Sequence, residues 1–211
     1  MRPLTRSTGG NEGMFMAGPA VALLLTKRRE RSDFTDLVPW LETFCDPVEI
    51  DDDDSLNFWI RKPATLGAPP DLDVTEAGLF NLSHDNNFGM GGEDYSAFTP
   101  PPVQGLALFA GSSGRTNHLL LGYVALVMAR RFSAFIDFDG ALGYRRRLLD
   151  LVTENETRRT EARQLVSSLP GVIKEVSWSY PDDYGSHGWS HVGDAEFLAA
   201  WLEHPEFHLI K

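Results

Sequence analysis

Apolar residues in this chain come in short bursts, and the spacing within each burst predicts an element. "PAVALLL" (19–25) is continuously apolar between Gly18 and "TKRRER", which by length and flanks predicts a buried strand. "DFTDLVPWLETFC" places Phe34, Leu37, Val38, Leu41 and Phe44 at helical spacing. Pro39 fits only the first turn of that helix, so Thr35 rather than Ser32 is the expected N-cap. "PVEI" and "LNFWIRK" predict two strands on either side of an acidic run at 51–54.

Residues 63–102 are rich in Gly and Pro and show little periodicity, which predicts a long irregular segment, and such segments in a compact domain are usually functional or mobile. "VQGLALFA" (103–110) predicts a strand, "GSSGRTN" a turn, and "HLLLGYVALVMARRF" a helix over about 117–131 that is apolar nearly all round and therefore buried. In "SAFIDFDG", Phe135, Asp137 and Asp139 alternate with Ala134, Ile136 and Phe138, as in a half-buried strand. Residues 144–168 form a charged insert with sparse apolar positions, expected as exposed helix.

"VIKEVSWSY" and "GWSHV" predict an antiparallel pair around "PDDYG". Asp194 is the expected N-cap of a helix with Phe197, Leu198, Trp201 and Leu202 on one face, and "HPEFHLIK" is expected to stop it and begin a final strand. The sum is one α+β domain over 14–211, with a mixed or antiparallel sheet, after a flexible leader at 1–13.

Charge narrows the partners. The chain has 19 basic and 30 acidic side chains, a formal net charge of -11. Such an excess repels phosphate backbones and anionic lipid, so neither nucleic acid nor membrane is expected as a ligand; a basic protein surface is. The longest apolar run, 119–129, is shorter than the ~18 residues of a membrane span. The basic residues near the N-terminus follow the apolar segment, the reverse of a secretory signal. A single cysteine, Cys45, cannot close an internal disulfide, and the expected location is the cytoplasm.

Four clusters could carry chemistry. In "SHGWSHVGD", His187 and His191 would share a face of a helix, but the surrounding glycines favour a strand. Residues four apart on a strand are ~13 Å apart, too far to hold one metal ion, so neither a metal site nor a cofactor is expected. The run Asp51, Asp52, Asp53 and Asp54 lacks the alternating ligands of a calcium loop and reads as a charged tip suited to a basic protein. Asp85, Glu93 and Asp94 lie with His84 in the irregular segment and extend the candidate partner-binding set. Ser112, Ser113, Gly114 and Arg115 form a strand-turn-helix junction that could present N–H groups to an anion, although it lacks the lysine and spacing of a phosphate loop. No catalytic set stands out among the six histidines.

The stretches "NHLLLGYVALVMARRFSAFIDFDGAL" and "HVGDAEFLAAWLEHPEFHLIK" resemble a bacterial family of uncharacterised proteins that is similar to the cytosolic immunity proteins of polymorphic toxin systems. The resemblance implies a small acidic α+β protein that binds and neutralises a cognate toxin without chemistry of its own. The alternative is an enzyme or small-anion-binding domain built from the 111–117 turn and the 81–94 loop.

Overall fold

The computed structural model describes residues 18–139, 142, 154–179 and 187–209. Its frame is one eight-stranded antiparallel sheet in the order β2-β3-β4-β5-β1-β6-β8-β7. The strands are β1 (Ala20–Leu25), β2 (Cys45–Ile50), β3 (Leu56–Ile60), β4 (Phe80–His84), β5 (Gln104–Ala110), β6 (Phe135–Asp137), β7 (Ile173–Ser179) and β8 (His187–Gly193). The helices are α1 (Arg31–Thr35), α2 (Val38–Leu41), α3 (Arg115–Phe132), α4 (Glu154–Ser168) and α5 (Ala195–Leu202). This is the α+β class that the periodicities predict.

Burial explains each strand's composition. β1 lies between β5 and β6, and both of its faces are covered: Val21, Leu23 and Leu25 enter the core beneath the helices, while Leu24 enters a smaller core on the opposite face. A strand covered on both sides has no reason to alternate, which is why this stretch is continuously apolar. β3, nearer the edge, sends Leu56, Phe58 and Ile60 into the main core and leaves Asn57 and Trp59 on the other face. β2 is the edge strand, and it carries Pro47 and a register irregularity between Cys45 and Val48, devices that blunt an edge.

α3 is the buried helix expected over 117–131. Leu120, Leu121, Val124, Ala125, Met128 and Ala129 are all fully buried. At Gly122 a Cβ would lie 2.7 Å from both Leu202 and Phe207, so glycine is what lets α5 and the following segment approach α3. Asp194 N-caps α5 as expected, accepting from the Phe197 N–H at 2.9 Å.

Four expectations are corrected. Thr35 is not an N-cap: α1 starts earlier, at a capping box in which Glu30 and Asp33 satisfy each other's backbone N–H groups, and Pro39 sits in the first turn of a separate α2. Cys45, read within the helical run, begins β2; burial raises its thiol to about 12. The segment 63–102 is not wholly irregular, because β4 lies within it and pairs with both β3 and β5. The described part of "HPEFHLIK" forms no strand; it folds back on the helices, with Trp201 Nε1 donating to the His208 carbonyl and the Leu209 N–H donating to His118 Nδ1, both at 3.1 Å. The leader at 1–13 lies outside the described residues, as does the start of the charged insert; from Glu154 that insert is α4.

Candidate functional site

Between β4 and β5 the chain crosses the sheet face opposite the helices. The Asp85 N–H donates to the Gly105 carbonyl at 3.0 Å as this strap leaves, and the Val103 N–H donates to the Leu25 carbonyl at 2.8 Å as it returns. At its far reach it pairs with β7: the Asp94 N–H donates to the Ser177 carbonyl at 3.0 Å, and Ser179 donates to the Gly91 carbonyl at 2.8 Å. Lys174 donates to the Ala97 carbonyl and lies 5.0 Å over the Phe98 ring. Beneath the strap, Phe88, Tyr95 and Phe98 pack with Leu24, Phe135, Val176 and Val192. The Phe88 and Tyr95 rings are stacked, with centroids 5.7 Å apart.

This small apolar core borders a group of carboxylates. Ile136 points into the main core, so the two-residue period turns Phe135 and Asp137 toward the strap. Asp139 has a positive φ of 43°, and its N–H donates to Asp137 Oδ1 at 2.8 Å. The Asp137 carboxyl is pushed up to about 7, first by burial and then by the negative charges of Asp139 and Glu93; the Asp139 N–H and the Ser190 hydroxyl act in the opposite direction. Partial desolvation raises Asp139, and the charge of Asp85 adds to it. The Tyr95 phenol is raised by burial and then by Asp137, Glu93 and Asp85. Three carboxylates, Asp137, Glu93 and Asp85, therefore act on Tyr95, and Asp139 acts on Asp137.

Glu93 Oε2 is buried there without a hydrogen-bond partner. Ser190, 3% exposed, is on the same face of β8 as Val192, and its hydroxyl is within hydrogen-bonding reach of Asp137, where it favours the ionised carboxylate. Among the described residues, none of the four carboxylates forms an ion pair; the described ion pairs are those of Glu175 with Arg159 and Arg163 of α4. That pair holds the Glu175 carboxyl down to about 2 on the helix side of the sheet. Next to it His191, 2% exposed, is lowered to about 4 by burial.

The acidic residues singled out from the sequence do not form one patch. The 51–54 run is the tip of the β2–β3 hairpin, where Asp51 accepts from Asn57 Nδ2 at 2.6 Å and Asp53 from the Ser55 N–H at 3.0 Å. Asp85 leaves the adjacent β4 at the same end of the sheet, whereas Asp94 is bonded to β7. Six strand intervals separate β3 from β7, or ~29 Å. Asp53, Asp85 and Asp94 each accept the N–H two residues ahead, so they also shape their own turns. Asp137 and Asp139 are not among the site residues expected from the sequence. Their signal was the "IDFD" alternation, which turns at least one carboxylate away from the main core.

The junction of Ser112, Ser113, Gly114 and Arg115 lies at the other end of β5 from His84, which pairs with Leu106. His84 faces the helices, with its ring 4.5 Å from that of Phe34 and its Nδ1 3.2 Å from Gln104 Nε2. Asn117 ties the junction down: it accepts from the Gly78 N–H at 3.1 Å and donates to the Ser113 carbonyl at 3.1 Å. The turn and the 81–94 loop therefore do not meet in one site. His187 and His191 lie on β8 as expected of strand neighbours. Among the described residues, no three His, Cys, Asp or Glu side chains converge closely enough to hold a metal ion, and no helix is long and apolar enough to cross a membrane.

Fold and site together define a single-domain α+β protein whose polar centre is a carboxylate group set against an aromatic strap on an antiparallel sheet. Residues 17–211 match the family of unknown function DUF6368, and the chain belongs to that family. No curated protein and no solved structure matches it.

Proposed function

We propose that this protein is a non-catalytic acidic interaction protein of the immunity type, which binds a basic toxin in the cytoplasm and neutralises it. The observation that carries this reading is that Asp85, Glu93, Asp137 and Asp139 border the strap on one face of the sheet and none of them forms an ion pair among the described residues. The negative charges of Asp139 and Glu93 oppose ionisation of Asp137, and a cation from outside relieves that opposition. The net charge of -11 adds a long-range field that draws a basic partner in. The hairpin tip with Asp51, Asp52, Asp53 and Asp54, at the same sheet end as Asp85, carries a separate acidic run.

The test is co-expression with the product of the adjacent reading frame. Co-purification of the two proteins together with rescue of growth is the expected result. A pair that neither binds nor restores growth overturns the reading.

A further inference from the structure

We infer that the open backbone edge of β2, from Val48 to Ile50, is where the protein partner adds a strand to the sheet, and that the incoming strand alternates basic with apolar residues. This deepens the interaction reading and rests on it, naming the surface and the kind of segment that fits it.

Hydrogen-bond alternation shows which groups are open. The Asp51 N–H donates to the Ser55 carbonyl at 2.9 Å, and the register continues with Ile50 opposite Leu56, Glu49 opposite Asn57 and Val48 opposite Phe58. In an antiparallel pair every second residue turns its N–H and C=O toward its neighbour. Glu49 and Asp51 therefore face β3, while Val48 and Ile50 face outward. Among the described residues, nothing hydrogen-bonds to that outward side. The devices that blunt this edge stop short of it: Pro47 and the register irregularity precede Val48, and Arg61 Nε donates to the Asp46 carbonyl at 2.9 Å. At the other edge of the sheet, Ser177 and Ser179 of β7 already pair with the strap. The side chains add a second observation. Ile50 is 47% exposed although Leu56, its partner across the ladder, is fully buried. A large apolar side chain thus stands beside unpaired strand backbone, the combination that a strand added to the edge would cover.

Charge selects the occupant. Residues 45–60 include Asp46, Glu49 and the 51–54 run, and no Lys, Arg or His. Glu49 is exposed on the face away from the main core, and Asp51 shares that face, accepting from Asn57 Nδ2 at 2.6 Å. A strand laid along β2 would set one face beside Val48 and Ile50, where apolar residues extend the main core, and the other beside Glu49 and Asp51, where lysine or arginine fits. Main-chain bonds then supply affinity and the alternate side chains supply selectivity. A second copy of this chain fits poorly: β2 against β2 sets these carboxylates against their own copies, on molecules of net charge -11.

The probe is a capped peptide in which lysine alternates with valine, titrated into the full chain at constant ionic strength. Its counterparts alternate glutamate with valine, or lysine with proline, which keeps the charge but cannot pair as a strand. Backbone amide exchange is followed residue by residue by NMR. Saturable binding of the lysine-valine peptide alone, with exchange at Val48 and Ile50 slowed on the order of tenfold, supports the inference. I50P removes one outward N–H and leaves the bonds of Glu49 and Asp51 to β3 in place, because an edge strand accepts proline where its N–H faces solvent. It is expected to weaken the peptide on the order of tenfold. Circular dichroism checks that I50P is folded; if it is not, E49K is read in its place, with a several-fold weakening expected. Equal binding of the lysine-proline peptide, slowed exchange at the strap instead of β2, unchanged affinity in the folded variant, or no binding overturns the inference. So does a wild-type dimer in sedimentation that I50P abolishes, which would give the edge to a second copy. The partner experiment separates the two levels. Wild type and the folded variant capturing the adjacent gene product equally well removes the β2 edge while leaving the interaction reading intact. Failure of wild type to capture it removes the interaction reading, and the peptide titration alone then decides the inference.

Discussion

Asp137 prefers to be protonated in the folded chain, and the consequence for stability has a definite sign. Its carboxyl stands at about 7 in the fold against an ordinary value of 3.8, so the native state binds this proton more tightly than the unfolded state. The associated stability is fully present below about pH 4 and is lost as pH rises through 7. Replacing Asp137 with Asn removes the ionisation, and the amide can still accept the Asp139 N–H. D137N is therefore expected to be more stable than wild type at pH 8, by on the order of 2 kcal/mol, and nearly equal to it at pH 4. Urea midpoints at the two pH values check this; a variant less stable than wild type at pH 8 would show that the carboxylate is favourably solvated or paired. At this scale the sequence is readable only in part. That Asp137 lies on the face opposite Ile136 follows from strand period alone, but its proximity to Glu93 and Ser190 comes from a strap and a strand that are distant in sequence.

Elements respond to geometry that propensity does not encode. Gly171, just before β7, has a φ of +98°, and a Cβ there would sit 2.3 Å from the Phe197 backbone nitrogen at the start of α5. Gly89, in the strap, has a φ of +77° with nothing within 4 Å. Alanine at Gly89 meets only the left-handed backbone penalty, about 1 kcal/mol, whereas alanine at Gly171 meets that penalty and a backbone clash, roughly 3 kcal/mol in all. D194A, which removes the α5 cap, is expected to cost about 1 kcal/mol. Denaturant midpoints of the three variants should rank G171A as the least stable. Long or doubly buried elements, α3 and β1 among them, were legible because burial dictates an apolar surface all round. β4 was not, although Phe80 and Leu82 enter the core while Asn81 and Ser83 do not. Its period covers only five residues, and the Gly-, Asn- and Pro-rich flanks that mark it as loop instead build the strap. The last segment reads as a strand from its apolar residues, yet no free strand is available to it at α3 and α5, and Phe207 and Leu209 are buried against helices instead.

Across the whole molecule, charge and fold divide the work. The main core beneath the helices has no need of the acidic excess, and the hairpin tip can lose its charge without loss of shape. Asparagine at 51–54 keeps a side-chain oxygen where Asp51 meets Asn57 and Asp53 meets the Ser55 N–H, and it tolerates the positive φ of 66° at position 54. The fourfold Asp to Asn variant is thus expected to melt within a few degrees of wild type. Its association with a basic partner should change more than its dissociation, because charges at the rim steer encounters while buried contacts hold the complex. Stopped-flow or surface-based kinetics over a range of salt concentrations are expected to show an association rate lowered several-fold at low salt, a flatter salt dependence, and a dissociation rate close to wild type. D137N should do the reverse, leaving the association rate near wild type and speeding dissociation. A tip variant with unchanged association rate and salt slope would remove the tip from the interface, and the strap carboxylates would then remain as the acidic surface through which binding is expected.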